Sequence, residues 1–213
     1  MSLRVCVVGA GSIGREFALN HFNEQTGTTV AAIVDRDVKR AEALAKDVGA
    51  IQAGAKVETG MADGRMYQSR PDAIIGKPVA SFSELGTDAL GMSDIVYIGT
   101  TPNSHRLLAI TALNAGKHVL LEKPLAATPE DANAIVAAAE EAKSKGIITS
   151  MNIGMRWNEA LHKMREIALE THELGDLTCA SLRLGFIKWP RHWQVQEWCA
   201  RREQGGALRE GAL

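Results

Sequence analysis

The sequence predicts an α/β fold in which a doubly wound parallel sheet occupies the N-terminal part of the chain. Apolar, β-branched runs typical of buried parallel strands recur at Leu3–Val8, Thr28–Val34 and 94–100, with helical patterns between them. The first run leads directly into a glycine-rich turn and then into a helix. This alternation indicates parallel strands, because a parallel connection must cross a face of the sheet.

The glycine-rich turn has the spacing Gly9-x-Gly11-x-x-Gly14, which is typical of dinucleotide-binding folds. Gly9 permits the tight turn, Gly11 lets the backbone approach a pyrophosphate, and Gly14 lets the helix pack closely on the strand. The helix that begins near Ser12 directs its N–H groups and its positive dipole end at the same anion. The turn therefore predicts a Rossmann-type fold with a pyrophosphate site formed by Gly9, Gly11, Ser12, Ile13 and Gly14.

The second apolar run ends on Asp35, about as far beyond the last glycine as such folds place an acid on the adenosine ribose. A carboxylate there accepts hydrogen bonds from the ribose hydroxyls and would repel a 2′-phosphate, which favours NAD. Arg36 follows directly, and its guanidinium can stack on adenine or pair with that phosphate, so NADP stays open. In the alternative interpretation the glycines serve packing only, and Asp35 caps the next helix.

Composition argues against several classes of function. The chain has 213 residues and a formal net charge of −1, so it lacks the basic footprint of a nucleic-acid-binding protein. No apolar run approaches the roughly 20 residues that a membrane span needs, and the short N-terminal apolar segment, which leads directly into the glycine turn, is not expected to be a signal peptide. Cys6, Cys179 and Cys199 are scattered without the spacing of a disulfide framework or a metal site. These features predict a cytoplasmic protein that needs no metal.

The alternation of strands and helices continues along the chain. Elements are expected as a helix over 37–48, strands over 79–85 and 94–100, a helix over 106–115 and a strand beginning at His118. Asn103 or Ser104 is expected to cap the helix over 106–115, and Gly116 to end it. Between these elements, 50–78 is predicted to be an inserted surface segment with one short helix near 63–68.

Polar residues stand where two of these strands end. Thr100-Thr101-Pro102-Asn103-x-His105 follows one strand, and Glu122-Lys123-Pro124 follows the next. Ligands of open α/β sheets bind beyond the carboxyl ends of the strands. We therefore expect the glycine turn, Asp35 and these two loops to converge on one crevice.

These four segments, in this order, resemble the glucose–fructose oxidoreductase/inositol dehydrogenase (Gfo/Idh/MocA-like) family of NAD(P)-dependent oxidoreductases. The resemblance extends through Pro124, apart from 50–78, which is longer than is usual in the family. It implies that Lys123 lies beside the nicotinamide and the substrate hydroxyl, and that the peptide bond between Lys123 and Pro124 is cis. The residues implied for the nicotinamide half of the cofactor are Thr100, Thr101, Pro102 and Asn103, together with Glu122 and Lys123.

A lysine at this place suits the oxidation of a secondary alcohol, which removes a hydride from carbon and a proton from oxygen. Lys123 can exchange that proton, and while protonated it can hydrogen-bond the oxygen as negative charge develops. Glu122 is expected to orient the cofactor ribose or Lys123; the alternative for Lys123 is a surface lysine paired with Glu122. His105 either lines the nicotinamide pocket as a third catalytic residue or only hydrogen-bonds backbone in its loop.

The chain beyond Pro124 is predicted to continue with helices over 128–145 and 160–170, a sixth strand over 147–151 and a strand over 177–184. The family commonly has an arginine and an aromatic residue at the entry to its second domain, where this chain has Arg156 and Trp157. The resemblance implies that Arg156 contacts the cofactor, or else anchors the junction between domains.

Three of the four tryptophans lie within 188–198. Indole faces stack on sugar rings and imidazoles hydrogen-bond hydroxyls, so Trp189, His192 and Trp193 are predicted to contact substrate. The alternative is that the tryptophans fix this loop to the sheet or to a neighbouring subunit. Glu210 stands where the family usually has the aspartate of a substrate-binding element, and it is predicted to contact substrate too.

The sequence stops one residue short of the histidine that the family has in this element, which predicts a truncated chain. The predicted domains are a dinucleotide-binding domain over 1–125 and, over 126–213, the start of an α+β domain with an open antiparallel sheet. The resemblance implies a dimer or tetramer formed through that sheet. The predicted function is hydride transfer between NAD or NADP and a sugar, cyclitol or related polyol. The alternative is a non-catalytic NAD(P)-binding regulatory protein.

Overall fold

The computed structural model describes residues 2–52, 80–82 and 85–176, together with 178, 179, 181, 183, 199 and 201. Most of the predicted insertion at 50–78, including its short helix near 63–68, lies outside the described residues. The strand predicted over 177–184 also lies largely outside them.

Six parallel strands form one sheet in the order β3-β2-β1-β4-β5-β6. The strands are β1 (Leu3–Val8), β2 (Thr28–Val34), β3 (Ala80–Phe82), β4 (Ile95–Ile98), β5 (His118–Glu122) and β6 (Thr149–Asn152). Every neighbouring pair is parallel. The strand order reverses between β1 and β4, which confirms the doubly wound sheet and creates a crevice beyond the carboxyl ends of these two strands.

The helices connect successive strands across the two faces of the sheet. They are α1 (Ser12–Asn20), α2 (Val38–Gln52), α3 (Thr87–Gly91), α4 (Pro102–Asn114), α5 (Pro129–Lys143) and α6 (Glu159–Arg165). Short 3₁₀ turns lie at Glu24–Thr26 and Gly154–Trp157, and a π turn at Glu166–Glu170 extends α6. Thr128 caps α5, since its side chain accepts a hydrogen bond from the N–H of Asp131.

The start of α4 differs from the prediction. The helix begins at Pro102, one turn before the expected start at residue 106, and its N-cap is Thr101 rather than Asn103 or Ser104. Proline is well tolerated in the first turn because the N–H that it lacks would have no partner inside the helix. The Ser104 hydroxyl instead donates to the carbonyl oxygen of Thr101 at 2.8 Å. The helix therefore follows β4 after a shorter loop than expected.

Two apolar layers cover the sheet because successive residues of a strand point to opposite faces. On one face, Val96 and Ile98 of β4 pack with buried residues of α4 and α5. On the other face, Val5 and Val7 of β1 and Tyr97 of β4 pack with buried residues of α1 and α2. Tyr97 therefore lies on the face of β4 that packs against α1.

The sheet continues beyond the domain boundary predicted at residue 125. The helix α5 returns the chain to the edge of the sheet and buries Ile135 and Ala142 against it, and β6 then pairs with β5. Residues 129–152 therefore extend the N-terminal sheet, because a crossover helix that packs on a sheet delivers the next strand to its edge.

Two further observations concern the described residues. Cys6 lies in β1 without any exposed surface, and burial raises the pKa of its thiol to about 12, so it packs as a small apolar residue. None of the helices in the ranges given above combines the length and the apolar character that crossing a membrane would require.

Candidate active site

The glycine turn lies between β1 and α1 and packs beneath the end of β4. Gly9 has a φ of +99°, and a Cβ on it would lie 2.8 Å from the carbonyl oxygen of Gly99. A Cβ on Gly14 would overlap the carbonyl oxygen of Gly9, so only glycine lets α1 lie so close to the turn. A Cβ on Gly11, in contrast, would meet nothing within 4 Å. The turn thus packs against other backbone at Gly9 and Gly14, whereas the space beside Gly11 is open.

The first turn of α1 borders this open side. Gly11 is its N-cap, and its carbonyl oxygen accepts a hydrogen bond from the N–H of Arg15 at 2.8 Å. The first turn carries no acidic residue, and Ser12 and Ile13 are exposed there. A helix start with free N–H groups and no competing carboxylate fits a bound pyrophosphate.

Asp35 directly follows β2 and is only 8% exposed. One carboxylate oxygen accepts a hydrogen bond from the N–H of Ala10 at 2.8 Å, and the other accepts one from the N–H of Asp37, also at 2.8 Å. Asp35 therefore ties the end of β2 to the glycine turn. The capping position of α2 belongs to Asp37, whose side chain accepts from the N–H groups of Lys39 and Arg40.

Arg36 is exposed and follows Asp35 at the carboxyl end of β2. Because each carboxylate oxygen has two lone pairs, Asp35 keeps acceptor capacity beside its backbone partners. Both predicted contacts to the adenosine half of a dinucleotide therefore lie at the expected edge of the sheet.

The segment from Thr100 to His105 comprises the end of the loop after β4 and the first turn of α4, and it contacts the glycine turn. A Cβ on Gly9 would lie 3.0 Å from Cγ2 of Thr100, so the two loops are in contact. The hydroxyl of Thr101 donates to the side-chain oxygen of Asn103 at 2.7 Å, and Asn103 is exposed. Pro102 is buried at the start of α4.

His105 is fully buried, and its ring joins two loops of the site. Nε2 lies 3.0 Å from the carbonyl oxygen of Thr100, and Nδ1 lies 3.0 Å from that of Pro124. Burial lowers the pKa of His105, whereas the backbone carbonyl oxygens that face its ring nitrogens oppose that fall. Of the two interpretations of His105, the geometry favours hydrogen bonding to backbone.

Glu122 ends β5 and is 6% exposed. Its Oε1 accepts hydrogen bonds from the Tyr97 hydroxyl at 3.0 Å and from the Asn152 amide at 2.6 Å. Its Oε2 accepts a hydrogen bond from the backbone N–H of Lys123 at 3.3 Å. Burial raises the pKa of Glu122, whereas these three donors and the positive charge of Lys123 oppose the rise. Tyr97 and Asn152 are site residues that the sequence analysis did not single out.

Lys123 is partly buried, directly beyond β5, and its peptide bond to Pro124 is cis as the resemblance implies. Arg156 is exposed in the turn that follows β6, at the same edge of the sheet. The predicted substrate contacts Trp189, His192, Trp193 and Glu210 lie outside the described residues. The described part of the chain contains no group of three or more His, Cys, Asp or Glu side chains arranged to hold a metal ion.

Contacts thus connect the four predicted segments at the carboxyl edge of the sheet. Asp35 binds the glycine turn, the glycine turn contacts Thr100, and His105 joins Thr100 to the loop after β5. The open space beside Gly11 and the uncovered start of α1 fit the pyrophosphate of a dinucleotide.

Residues 3–149 match the model of the Gfo/Idh/MocA group, described as an oxidoreductase family with an NAD-binding Rossmann fold. The chain belongs to the Gfo/Idh/MocA family. The resemblance noted on the sequence is therefore confirmed, and so is the nicotinamide dinucleotide as cofactor.

Two curated relatives match most of this chain. The chain is 32% identical over 200 residues to 1,5-anhydro-D-fructose reductase of Ensifer adhaerens, a match that covers 94% of this chain and 50% of the relative. It is 30% identical over 176 residues to inositol 2-dehydrogenase 1 of Saccharopolyspora erythraea, covering 83% of this chain and 44% of the relative. The chain spans about half the length of the curated relatives it matches.

Solved structures share the fold. Myo-inositol 2-dehydrogenase from Lactobacillus plantarum superposes with a TM-score of 0.61 at 16% identity, covering 83% of this chain and 43% of that one. The WlbA dehydrogenase from Bordetella pertussis, solved with NADH and UDP-GlcNAcA, gives a TM-score of 0.57 at 24% identity. The match covers 82% of this chain and 41% of that one. Both matches establish the Rossmann architecture.

Proposed function

We propose that this protein is an NAD(P)-dependent oxidoreductase that transfers a hydride between the nicotinamide and a secondary alcohol or carbonyl of a sugar, cyclitol or related polyol. The observation that carries the proposal is the convergence of the glycine turn and the Lys123 loop at one edge of the sheet, through the contacts of Thr100 and His105. The substrate class is carried over from the relatives named for 1,5-anhydro-D-fructose and inositol.

The residues of the N-terminal half bind and orient the cofactor. The N–H groups at the start of α1 hold the pyrophosphate in the space beside Gly11, and Asp35 and Arg36 face the adenosine half. Thr101, Pro102 and Asn103 border the nicotinamide half, where the bound cofactor supplies or accepts the hydride. Arg156 adds a positive charge at the same edge.

Lys123 handles the proton at the substrate oxygen. Its amine accepts the hydroxyl proton during oxidation and returns it to the carbonyl oxygen during reduction. In its protonated form it also stabilises negative charge on that oxygen, a stabilisation that is strong in a partly desolvated site. Glu122 holds the backbone of Lys123 through the N–H at 3.3 Å.

His105 serves as a positioning residue in this proposal rather than as a catalytic one. Its ring is fully buried and lies against the carbonyl oxygens of Thr100 and Pro124, so it offers no exposed nitrogen to a substrate. It keeps the loop that borders the nicotinamide at a fixed distance from the loop that carries Lys123.

The test is turnover by Lys123→Ala with two probes, 1,5-anhydro-D-fructose with NADH or NADPH, and myo-inositol with NAD or NADP. We expect wild-type protein to oxidise or reduce at least one probe, and the variant to lose about 10²- to 10⁴-fold in kcat while still binding NADH. Lys145→Ala is the matched control, because Lys145 is an exposed lysine whose amine pairs with Glu141.

Two outcomes would contradict the proposal. Full turnover by Lys123→Ala would show that Lys123 does not handle the proton at the substrate oxygen. Wild-type protein that binds NADH tightly but turns over no sugar or cyclitol in a broad panel would instead support a non-catalytic NAD(P)-binding protein.

A further inference from the structure

The carboxylate of Glu122 meets only hydrogen-bond donors among the contacts described for it. The Tyr97 hydroxyl, the Asn152 amide and the N–H of Lys123 all point at its two oxygens. A protonated carboxyl would bring a donor of its own into this set, whereas an ionised one can accept all three. The arrangement is therefore built around the charged form of Glu122, although the residue is buried.

The two side-chain donors come from the strands on either side of β5. In the register of the sheet, Asn152 of β6 lies directly opposite Glu122, and Tyr97 of β4 lies opposite Leu120. Because residues i and i+2 of a strand share a face, Glu122 and Leu120 point to the same side of the sheet as Tyr97. The hydroxyl of Tyr97 therefore reaches Glu122 diagonally, and the amide of Asn152 reaches it straight across.

The ring of Tyr97 is held in place by its neighbours. It stacks on Phe17 of α1 with ring centroids 4.6 Å apart, and it forms a T-shaped contact with Phe22 with ring centroids 5.5 Å apart. A Cβ on Gly99 would lie 2.9 Å from the Tyr97 ring, so the chain beyond β4 also closes on it. Tyr97 thus connects the helix that starts at the glycine turn to the carboxylate beside Lys123.

We propose that Tyr97 and Asn152 are positioning residues that keep Glu122 ionised and oriented so that it holds the backbone N–H of Lys123. Through this network the Lys123 loop keeps one position relative to α1. The inference rests on the proposed function, because it assigns Lys123 the role of handling the proton. It goes beyond that function by assigning roles to two residues on neighbouring strands.

The network is tested with Tyr97→Phe, which keeps the ring and removes the hydroxyl, and Asn152→Ala, which removes the amide. Asn133→Ala is the matched control, since Asn133 is an exposed asparagine on α5. The titration midpoint of the Glu122 carboxyl carbon and the amide proton shift of Lys123 are followed by NMR from pH 3 to pH 9. The variant Glu122→Gln assigns the titration to Glu122. In the absence of this carboxyl group, the amide proton of Lys123 should no longer respond to the change in pH.

We expect each network variant to raise the midpoint of Glu122 by about one pH unit, because each loses a donor that stabilises the charged form. The Lys123 amide proton should follow the same midpoint, and the control should match wild type. We also expect kcat for NADH-dependent reduction of 1,5-anhydro-D-fructose to fall about tenfold in each variant. The KM for NADH should change less than twofold, which separates positioning of Lys123 from cofactor binding.

Midpoints that stay at the wild-type value in both variants would overturn the network. A raised midpoint with unchanged kcat would overturn its role in positioning Lys123. If wild-type protein reduces no probe, the proposed function fails, and the NMR titration still decides whether Tyr97 and Asn152 hold Glu122.

Discussion

Gly11 and Gly14 occupy the same turn, yet a side chain would meet different surroundings at the two positions. At Gly14 a Cβ would overlap the carbonyl oxygen of Gly9, which is backbone and cannot move without displacing the turn. At Gly11 nothing lies within 4 Å. Glycine at position 14 is therefore a requirement of the fold, whereas glycine at position 11 is a requirement of ligand binding.

Alanine substitutions at these positions should separate the two requirements. Gly14→Ala should lower the free energy of unfolding by about 1–3 kcal/mol, because the added methyl group forces α1 away from the turn. Gly11→Ala should leave that free energy within about 0.5 kcal/mol of wild type but raise the Kd for NADH at least tenfold. Urea unfolding and NADH fluorescence titration measure the two effects. Equal NADH affinity in wild type and Gly11→Ala would place the pyrophosphate elsewhere.

His105 shows why a residue type in a motif does not specify its chemistry. The sequence places an imidazole three residues after Pro102, in a loop at the carboxyl end of a strand, where both a catalytic and a structural role are reasonable. The structure buries the ring fully and sets both nitrogens against backbone carbonyl oxygens. Burial depends on α4 packing against the loop after β5, which no local pattern reveals.

At the scale of elements, Arg4 of β1 and Asp94 join the amino ends of two central strands. The guanidinium donates to both carboxylate oxygens, at 2.7 and 3.1 Å, and the N–H of Arg4 donates to one of them at 2.8 Å. Hydrogen bonds from Arg4 lower the pKa of Asp94 to about 2, from an ordinary value of 3.8. The pair therefore favours the ionised carboxylate in the folded protein.

This pair predicts a defined pH dependence of stability. Because the pKa of Asp94 is lower in the folded than in the unfolded chain, its stabilising effect is complete above about pH 3.8 and is lost as the pH falls toward 2. The difference in unfolding free energy between wild type and Asp94→Asn should therefore shrink over that range in urea titrations. In an Arg4→Met background the same substitution should produce no such change; a persisting change would assign the effect to another partner.

At the scale of the whole molecule, the parallel sheet brings the ends of β1, β2, β4, β5 and β6 to one edge. Each of these ends contributes part of the candidate site, so a ligand bound there contacts segments that are distant in sequence. Such a ligand binds the folded chain and not the unfolded one. Its binding free energy therefore adds to the stability of the whole sheet.

NADH should consequently stabilise the protein against heat. At 100 times its Kd the cofactor should add about 2.7 kcal/mol, which corresponds to a rise in Tm of about 5–10 °C for a chain of this length. Differential scanning calorimetry with NADH and with NADPH measures the rise and gives the preference between the two. Gly11→Ala at the same concentrations is the control and should show a smaller rise. No rise with either cofactor in wild type would contradict dinucleotide binding.

The sequence by itself determined the order of strands and helices, the glycine turn and the strand ends that carry polar residues. These features are local: they depend on residue periodicity, on glycine at fixed spacing and on residues next to one another in the chain. Among the described residues, the start of α4 moved, because proline begins the helix instead of preceding it, and the short helix α3 (Thr87–Gly91) was not predicted.

The tertiary structure alone decided the partners of the buried polar groups. Tyr97 lies 25 residues from Glu122, and Asn152 lies 30 residues from it, so their hydrogen bonds exist only when β4, β5 and β6 pair in register. The same holds for Asp35 on the glycine turn and for His105 between its two loops. A buried polar group must find a partner, but which partner it finds depends on strand pairing and helix packing rather than on neighbouring sequence.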